Sequence, residues 1–311
     1  NPNDRDVSNI EYDAAKSLYF NQSYEKAGLA FKNFIENYPD NAKVAEARYY
    51  MADAYYRKGA YNEALPIFNE VIASSNSIFR KRAVQKVADI ELNNANYDKA
   101  EAFYKQLLKL AENPRDQYNA WSGLLTIAEQ RNAYDEIINY SDLIINKGNV
   151  NTKALTEAYV SKGLAYFNQG KYDLALKPFE LAIATAEDEN AAEAKYLIAL
   201  MDYNNAQYQE SLNTLFELNE TFSAFEEWLG KSFLLIADNY FALEEGFQAK
   251  ATLNSIIENA TSTLLVDEAR LRLDFINNEE QQQDSINNAV DSIKILQEAD
   301  TLIISNDTIK D

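Results

Sequence analysis

The sequence predicts an all-α protein built as a row of helix-turn-helix repeats, and three observations lead there. A short phrase returns at a near-constant interval: an aromatic, two residues, a small residue, then an aromatic or apolar residue four positions on. Its small-residue anchors Ala27, Ala64, Ala100, Ile137, Ala175, Ser211 and Ala249 lie 37, 36, 37, 38, 36 and 38 residues apart, and a fixed period of this size is the signature of stacked repeats. Eight Gly and five Pro in 311 residues fall far below the usual ~7% and ~5%. That leaves too few turn-formers for a sandwich, a barrel or a phosphate-cradling loop. Finally, Ala64, Phe68, Val71 and Ile72 fall at i, i+4, i+7 and i+8, one stripe of an amphipathic helix.

The copies follow in order. The first (8–40) places Ala15 on one helix and Tyr24, Ala27 and Phe31 on the next, which Pro39 stops. The second (45–77) pairs Ala52 with Tyr61, Ala64 and Phe68 across Gly59, where a left-handed helix-ending residue is expected. The third (79–113) repeats the pattern with Ala88, Tyr97, Ala100 and Tyr104. In the fourth (115–149), Trp121 comes early and Leu125, Ile137 and Ser141 stand where small residues and a ring belong. Its packing is expected to differ, through drift or as a bend. The fifth (151–188) is the most regular, with Gly163, Gly170, Tyr172, Ala175 and Phe179. The sixth (190–222) carries Ala199, Tyr208, Ser211 and Leu215; the seventh (225–260) carries Ala237, Ala249 and Leu253, with Gly246 in place of the aromatic. Small residues twelve positions before each anchor let two antiparallel helices approach closely while aromatics fill the flanks. One more amphipathic helix (263–276), with Leu264, Leu265, Ala269, Leu271, Leu273 and Phe275, is expected to cap the last apolar surface.

Beyond residue 276 the composition turns to Asn, Glu and Gln, and 277–311 holds eight acidic and two basic residues. Within it, Asp followed by Ser or Thr and then by Ile or Leu recurs at Asp284, Asp291, Asp300 and Asp307. This stretch reads as a disordered tail with one helix over 285–299, or as a docking segment through Ile286, Ile293, Leu296, Leu302 and Ile303. At the other end, Ile10, Ala14, Ala15 and Leu18 expect neighbours, so further repeats are expected before Asn1 in a parent chain.

Charge and composition narrow the function. Twenty-nine Lys and Arg against 49 Asp and Glu give a net charge of −20, and no cationic run exceeds Arg80-Lys81-Arg82. Nucleic acid, which needs clustered cations, is not an expected partner, and neither is an anionic membrane surface. No stretch approaches eighteen uninterrupted apolar residues, so direct membrane insertion of this segment is not expected. With no Cys and no His, structural zinc, disulfides, thiol nucleophiles and His-based acid–base chemistry all fall away. No catalytic residue, metal or cofactor is expected.

The phrases Tyr159, Gly163, Tyr166, Gly170, Tyr172, Ala175, Phe179 and Ala182 in the fifth copy, and 48–68 in the second, resemble the tetratricopeptide repeat (TPR) over roughly residues 8–259. The resemblance implies a right-handed α-solenoid superhelix of seven TPR-like helix-turn-helix repeats plus a C-terminal capping helix. The period of 36 to 38 and the joining segment 38–47 are similar to longer-period members of bacterial cell envelopes, periplasmic proteins and outer-membrane lipoproteins among them. It implies a periplasmic or membrane-associated setting, reached through a missing N-terminal part, in preference to the cytoplasm. The function implied is a non-enzymatic scaffold holding a peptide or helical segment of a partner protein.

In such an array the first helix of each pair lines a concave face. By register, the expected partner-binding residues are Tyr12, Lys16 and Tyr19 in the first copy and Tyr49, Asp53 and Tyr56 in the second. Arg82 and Asp89 follow in the third, Phe167 in the fifth, Tyr196 and Tyr203 in the sixth, and Asp238 and Phe241 in the seventh. Aromatic rings suit an extended peptide or a helix laid in a groove, while about half of them are expected to pack against neighbouring helices instead. Acids Glu46, Asp53, Asp89, Glu129, Glu157, Glu193 and Asp238 outnumber Lys16, Arg57, Arg82 and Lys231 on these helices, so a neutral or basic partner is preferred. The clamp with which some TPR proteins grip a C-terminal carboxylate is not matched: Tyr12 and Asp53 stand where bases are needed, and only Arg82 and Lys86 fit. Two rival readings are a glycan- or small-molecule-binding repeat protein, and a glycoside hydrolase using paired carboxylates among Asp53, Asp89 and Asp238.

Overall fold

A computed structural model describes residues 2–74 and 78–307, with side chains over 7–74, 78–287, 289 and 290. Among the described residues there are fifteen α-helices and no strand. They are α1 (Pro2–Phe20), α2 (Tyr24–Asn37), α3 (Val44–Arg57), α4 (Tyr61–Ala73), α5 (Arg80–Asn93), α6 (Tyr97–Lys109), α7 (Pro114–Gln130) and α8 (Tyr134–Lys147). The remainder are α9 (Thr152–Asn168), α10 (Tyr172–Thr185), α11 (Glu189–Asn204), α12 (Tyr208–Thr221), α13 (Glu226–Ala242), α14 (Gly246–Asn259) and α15 (Thr263–Asp307). Odd-numbered helices are the first members of the pairs. None of the described helices is long and apolar enough to cross a membrane.

The chain forms two compact units, 1–175 and 176–311, whose boundary falls inside α10. In the first unit each helix packs on the next from α1 to α9, and α1 also meets α3 as α5 meets α7. In the second, α11 to α15 pack successively, with α11 against α13 and α13 against α15. This is the helix-turn-helix packing of a TPR solenoid.

Anchor burial explains the period. All seven anchors are buried, and so is the residue twelve before each, from Ala15 to Ala237. A longer side chain at either position would push two crossing helices apart.

The turns repeat as strictly as the anchors. Gln22 (φ 60°), Gly59 (81°), Ala95 (56°), Asn132 (52°), Gly170 (70°), Ala206 (60°) and Glu244 (62°) all take the left-handed conformation, each five residues before its anchor. The amide that follows each of them donates to the carbonyl five residues back, from Ser23 N to Leu18 O through Glu245 N to Tyr240 O, at 2.8 or 2.9 Å. That bond satisfies an orphan helix-end carbonyl and defines a Schellman motif. Two of the seven positions hold glycine and one holds Asn132, which tolerates this conformation, so packing imposes the turn at the four others, Gln22, Ala95, Ala206 and Glu244.

The fourth copy packs differently, as its residues suggest. Leu125 and Ile137 join Trp121, Ile144, Ala128, Ala158 and Ala165 in one buried cluster. Ser141, where other copies carry a ring or Leu, is fully buried and its hydroxyl has no hydrogen-bond partner. Where α7 meets α6 of the preceding copy, the close approach falls at Gly123, where an added Cβ would lie 2.2 Å from the Tyr104 ring.

Helix α15 continues without a break from Thr263 to Asp307, through the stretch read as a separate tail. Leu265, Ala269, Leu273 and Ile276 pack with Leu253 and Ile256 of α14, and Lys250 Nζ meets Glu280 Oε2 at 2.5 Å. From Gln281 onward the described side chains are exposed. The apolar positions Ile293, Leu296, Leu302 and Ile303 lie outside the described side chains.

Candidate functional site

Residues on neighbouring odd-numbered helices meet when they are about 34 positions apart. Tyr19 on α1 donates its hydroxyl to Asp53 Oδ2 on α3, Asn119 on α7 reaches Gln85 on α5 at 3.4 Å, and Arg272 on α15 reaches Asp238 on α13 at 3.1 Å. This regular offset brings chemically different side chains into ladders along the first-helix face of each unit.

In the first unit, the start of the ladder is internal. The Tyr12 ring is buried against Phe31 and Phe34 at 6.1 and 5.4 Å, under the Lys43 ammonium at 4.4 Å, and burial pushes its phenol well above the ordinary range. Lys16 is half-buried and pairs with Glu46 at 3.0 Å, a bond that holds its ammonium up. Tyr19 is buried edge-on to Tyr50 at 4.9 Å. Asp53, 1% exposed, also accepts from Arg57 Nε at 2.7 Å, and that bond raises the Arg57 guanidinium. Tyr49 is buried and stacked on Phe79 at 4.5 Å. These rings and Asp53 therefore belong to the interhelical core.

Further along, the face opens. Tyr56 is half-buried with the Lys86 ammonium 4.1 Å from its ring centre, and burial pushes its phenol up to about 12. Asp89 accepts from the Tyr104 hydroxyl at 2.9 Å, and burial lifts its carboxyl above the usual range. Glu129 is raised for the same reason while Ser161 Oγ donates to it at 2.6 Å. Arg82 is exposed and borders a polar cleft of ≈ 450 Å³ between α5 and α7, with Lys81, Gln85, Arg115 and Asn119. Lys81 is held by Asp116 at 2.7 Å and Glu112 at 2.8 Å. Phe167, half-buried on α9, lies 5.2 Å from Tyr172.

The second unit gathers its residues into a cleft of ≈ 380 Å³ among α11, α13 and α15. Tyr196 and Trp228 form one wall, ring centres 5.6 Å apart, and Leu197, Leu234 and Leu235 add apolar surface. Lys231 Nζ sits 4.0 Å over the Trp228 ring. Arg272 bridges Asp238 and Glu268, at 3.1 and 3.2 Å; burial pushes the Asp238 carboxyl up, against the pull of that guanidinium. The Trp228 Nε1–H is buried without an acceptor. Tyr203 and Phe241 lie outside this cleft lining, against Tyr208 at 5.5 Å and Phe275 at 5.8 Å.

The structure thus joins Tyr19 to Asp53 and places Tyr196 beside Asp238. Trp228 and Arg272 were not among the residues singled out by register. Arg272 was findable, standing 34 residues after Asp238 as Asp53 stands after Tyr19. Trp228 sits early in α13, before the repeat phrase, where the pattern is weakest. Among the described residues no group of three or more carboxylates is placed to hold a metal ion.

Comparison with known proteins agrees with this architecture. The family described as "Tetratricopeptide repeat" matches residues 12–77, and again 82–114 and 156–189. No curated protein matches the chain. Among solved structures, the C-terminal part of a TPR repeat-containing protein from Cytophaga hutchinsonii is 16% identical with a TM-score of 0.64, covering 83% of this chain and 98% of its own. A tetratricopeptide repeat protein from Parabacteroides merdae is 14% identical at a TM-score of 0.52, with 86% and 98% covered. A signal transduction ATPase with a tetratricopeptide repeat sensor from Pyrococcus horikoshii is 13% identical at 0.56, covering 88% of this chain and 44% of its own. At these identities the likeness is one of fold. Over residues 12–77, 82–114 and 156–189 this chain matches the tetratricopeptide repeat, and the same helix pairing recurs in the described residues between and after them.

Proposed function

We propose that the chain is a non-enzymatic scaffold that holds a segment of a partner protein against its first-helix faces. The observation that carries this reading is the cleft of the second unit, where Tyr196 and Trp228 present partly exposed aromatic surface beside Lys231, Arg272 and Glu268. Aromatic anchors flanked by charged groups are how interfaces concentrate binding energy in a few residues. The carboxylates counted as lining are largely engaged within the protein, Asp53 by Tyr19 and Arg57, Asp89 by Tyr104 and Asp238 by Arg272. A mainly neutral segment suits the second cleft, with a basic residue placed to share Glu268. A bacterial envelope setting, suggested by the longer repeat period, is part of the same proposal.

Site-specific photocrosslinking tests it. A crosslinking amino acid at Lys231 or Tyr196, on the first-helix face, is expected to capture a defined protein in cells that make this chain naturally. The same group at the exposed Phe216 or Phe247, on second helices, is expected to capture none. Equal yields from both faces would move the binding surface elsewhere, and adducts with carbohydrate alone would favour a glycan-binding array.

A further inference from the structure

One sequence motif lies beyond the seven helix pairs. Asp284, Asp291, Asp300 and Asp307 are each followed by Ser or Thr and then by Ile or Leu, whereas none of the sixteen Asp residues before position 277 is followed by Ser or Thr. A helix face that docks a partner would keep the unit on one side of the helix. At about 100° per residue, positions 285 and 292 fall within about 20° of each other, but 301 lies about 160° round from 285. The spacing therefore preserves the tripeptide and not the face, which is what recognition of a short local sequence requires. The first unit lies on an open stretch of helix: the described side chains from Gln281 to Val290 are exposed, Ser285 and Ile286 included. The Ser285 hydroxyl is bonded to the Gln281 carbonyl of its own helix at 2.8 Å, a bond that leaves its oxygen lone pairs accessible.

We propose that each Asp-Ser/Thr-Ile/Leu unit is a glycosylation site, with Ser285, Ser292, Thr301 and Thr308 carrying a sugar on Oγ. The acid identifies the unit and the hydroxyl is its nucleophile. The oxygen attacks the anomeric carbon of a diphosphate-linked sugar held by a separate transferase. The new carbon–oxygen bond forms as the bond to the diphosphate oxygen breaks, the diphosphate leaves with that electron pair, and the hydroxyl proton passes to a base of the transferase. A sugar fits better than a phosphoryl group. Residues 277–311 already hold eight acids against two bases, and each phosphate would add nearly two further negative charges. The aliphatic residue beside each hydroxyl, 56% exposed at Ile286, is instead covered by a neutral polyol that favours solubility.

The test is intact-mass and fragmentation mass spectrometry of the full chain purified from cells that make it naturally, as wild type and as Asp284→Ala and Ser285→Ala variants. Both substitutions lie beyond the packed part of α15, and circular dichroism checks that the array is unchanged. Saccharide-sized increments on the four hydroxyls are expected, with Ser285 alone bare in Asp284→Ala and no increment at that position in Ser285→Ala. Unmodified hydroxyls in the wild type, phosphoryl-sized increments, or a Ser285 still modified in Asp284→Ala would each overturn the assignment.

Discussion

Asp89 and Ser141 show what single buried polar groups do in this array. Asp89 is partly withdrawn from water, and its carboxyl titrates above the ordinary value of 3.8. A carboxyl whose pKa is raised by folding binds its proton more tightly in the folded state, so it subtracts stability above that raised pKa and ceases to do so as the pH falls below the unfolded value. Asp89→Asn keeps an acceptor for the Tyr104 hydroxyl without the charge. The variant is expected to equal or exceed the wild type at pH 7, with the advantage fading as the pH approaches the ordinary aspartate value; urea unfolding at pH 7 and at pH 4 measures both. A large loss at pH 7 would mean that the Tyr104 bond depends on the negative charge. Ser141 buries a hydroxyl with no partner, and an unsatisfied buried polar group is unfavourable by about 1–3 kcal/mol. Ser141→Ala is expected to stabilise the protein by about 1 kcal/mol in the same assay, and an unchanged midpoint would indicate that the hydroxyl is hydrated.

Within each pair, the turn sets the crossing of its two helices. Five of the seven left-handed turn residues carry a side chain, and that conformation disfavours an L-residue by about 1–2 kcal/mol relative to glycine. Ala95 is exposed, so its replacement changes the backbone term and little else. Ala95→Gly is expected to raise stability by about 0.5–1 kcal/mol, because part of the relief is lost to the greater freedom of glycine in the unfolded chain. Gly59→Ala, at φ 81° with no atom within 4 Å of an added Cβ, is expected to lower stability by about 1 kcal/mol. Thermal melts of the two variants should move in opposite directions; movement in the same direction would show that the turn relaxes on substitution.

For the molecule as a whole, the end of the array is a packing problem. The apolar surface of α14 at Leu253 and Ile256 is closed by Leu265, Ala269, Leu273 and Ile276 of α15. Full burial of one large aliphatic side chain is worth about 1.5–3 kcal/mol. A chain ending at Ser262 is therefore expected to lose on the order of 5 kcal/mol from the second unit and to expose α14 to hydrogen exchange. A chain ending at Gln282 keeps every one of those contacts and is expected to unfold like the 311-residue chain. Equal loss in both would assign a packing role to the last part of α15. The register also shows why the array stops there: thirty-seven residues after Ala237 the chain places Asp274, a carboxylate where another closely packed helix would need a small apolar residue.

The repeat register, the helix pairs and the deviant fourth copy were legible in the sequence alone. Close helix crossing demands small residues at a fixed interval, and that demand acts within one pair, between residues only twelve positions apart. The turns were half legible: Gly59 and Gly170 announced a left-handed residue and Asn132 tolerates one, while Gln22, Ala95, Ala206 and Glu244 adopt it because the packed helices on either side leave no alternative. Which aromatic rings lie in the core and which stay open was a tertiary decision. Tyr49 and Tyr56 occupy the same helix two turns apart, yet one stacks on Phe79 while the other stays half-exposed beneath Lys86. The difference comes from the neighbouring helices, whose distance and tilt no single stretch of chain encodes. The buried pair Tyr19 with Asp53 and the pair Asp238 with Arg272 at the second cleft likewise join side chains across adjacent helix pairs. They exist only once the stacking of helices has turned an offset of 34 residues into a hydrogen bond.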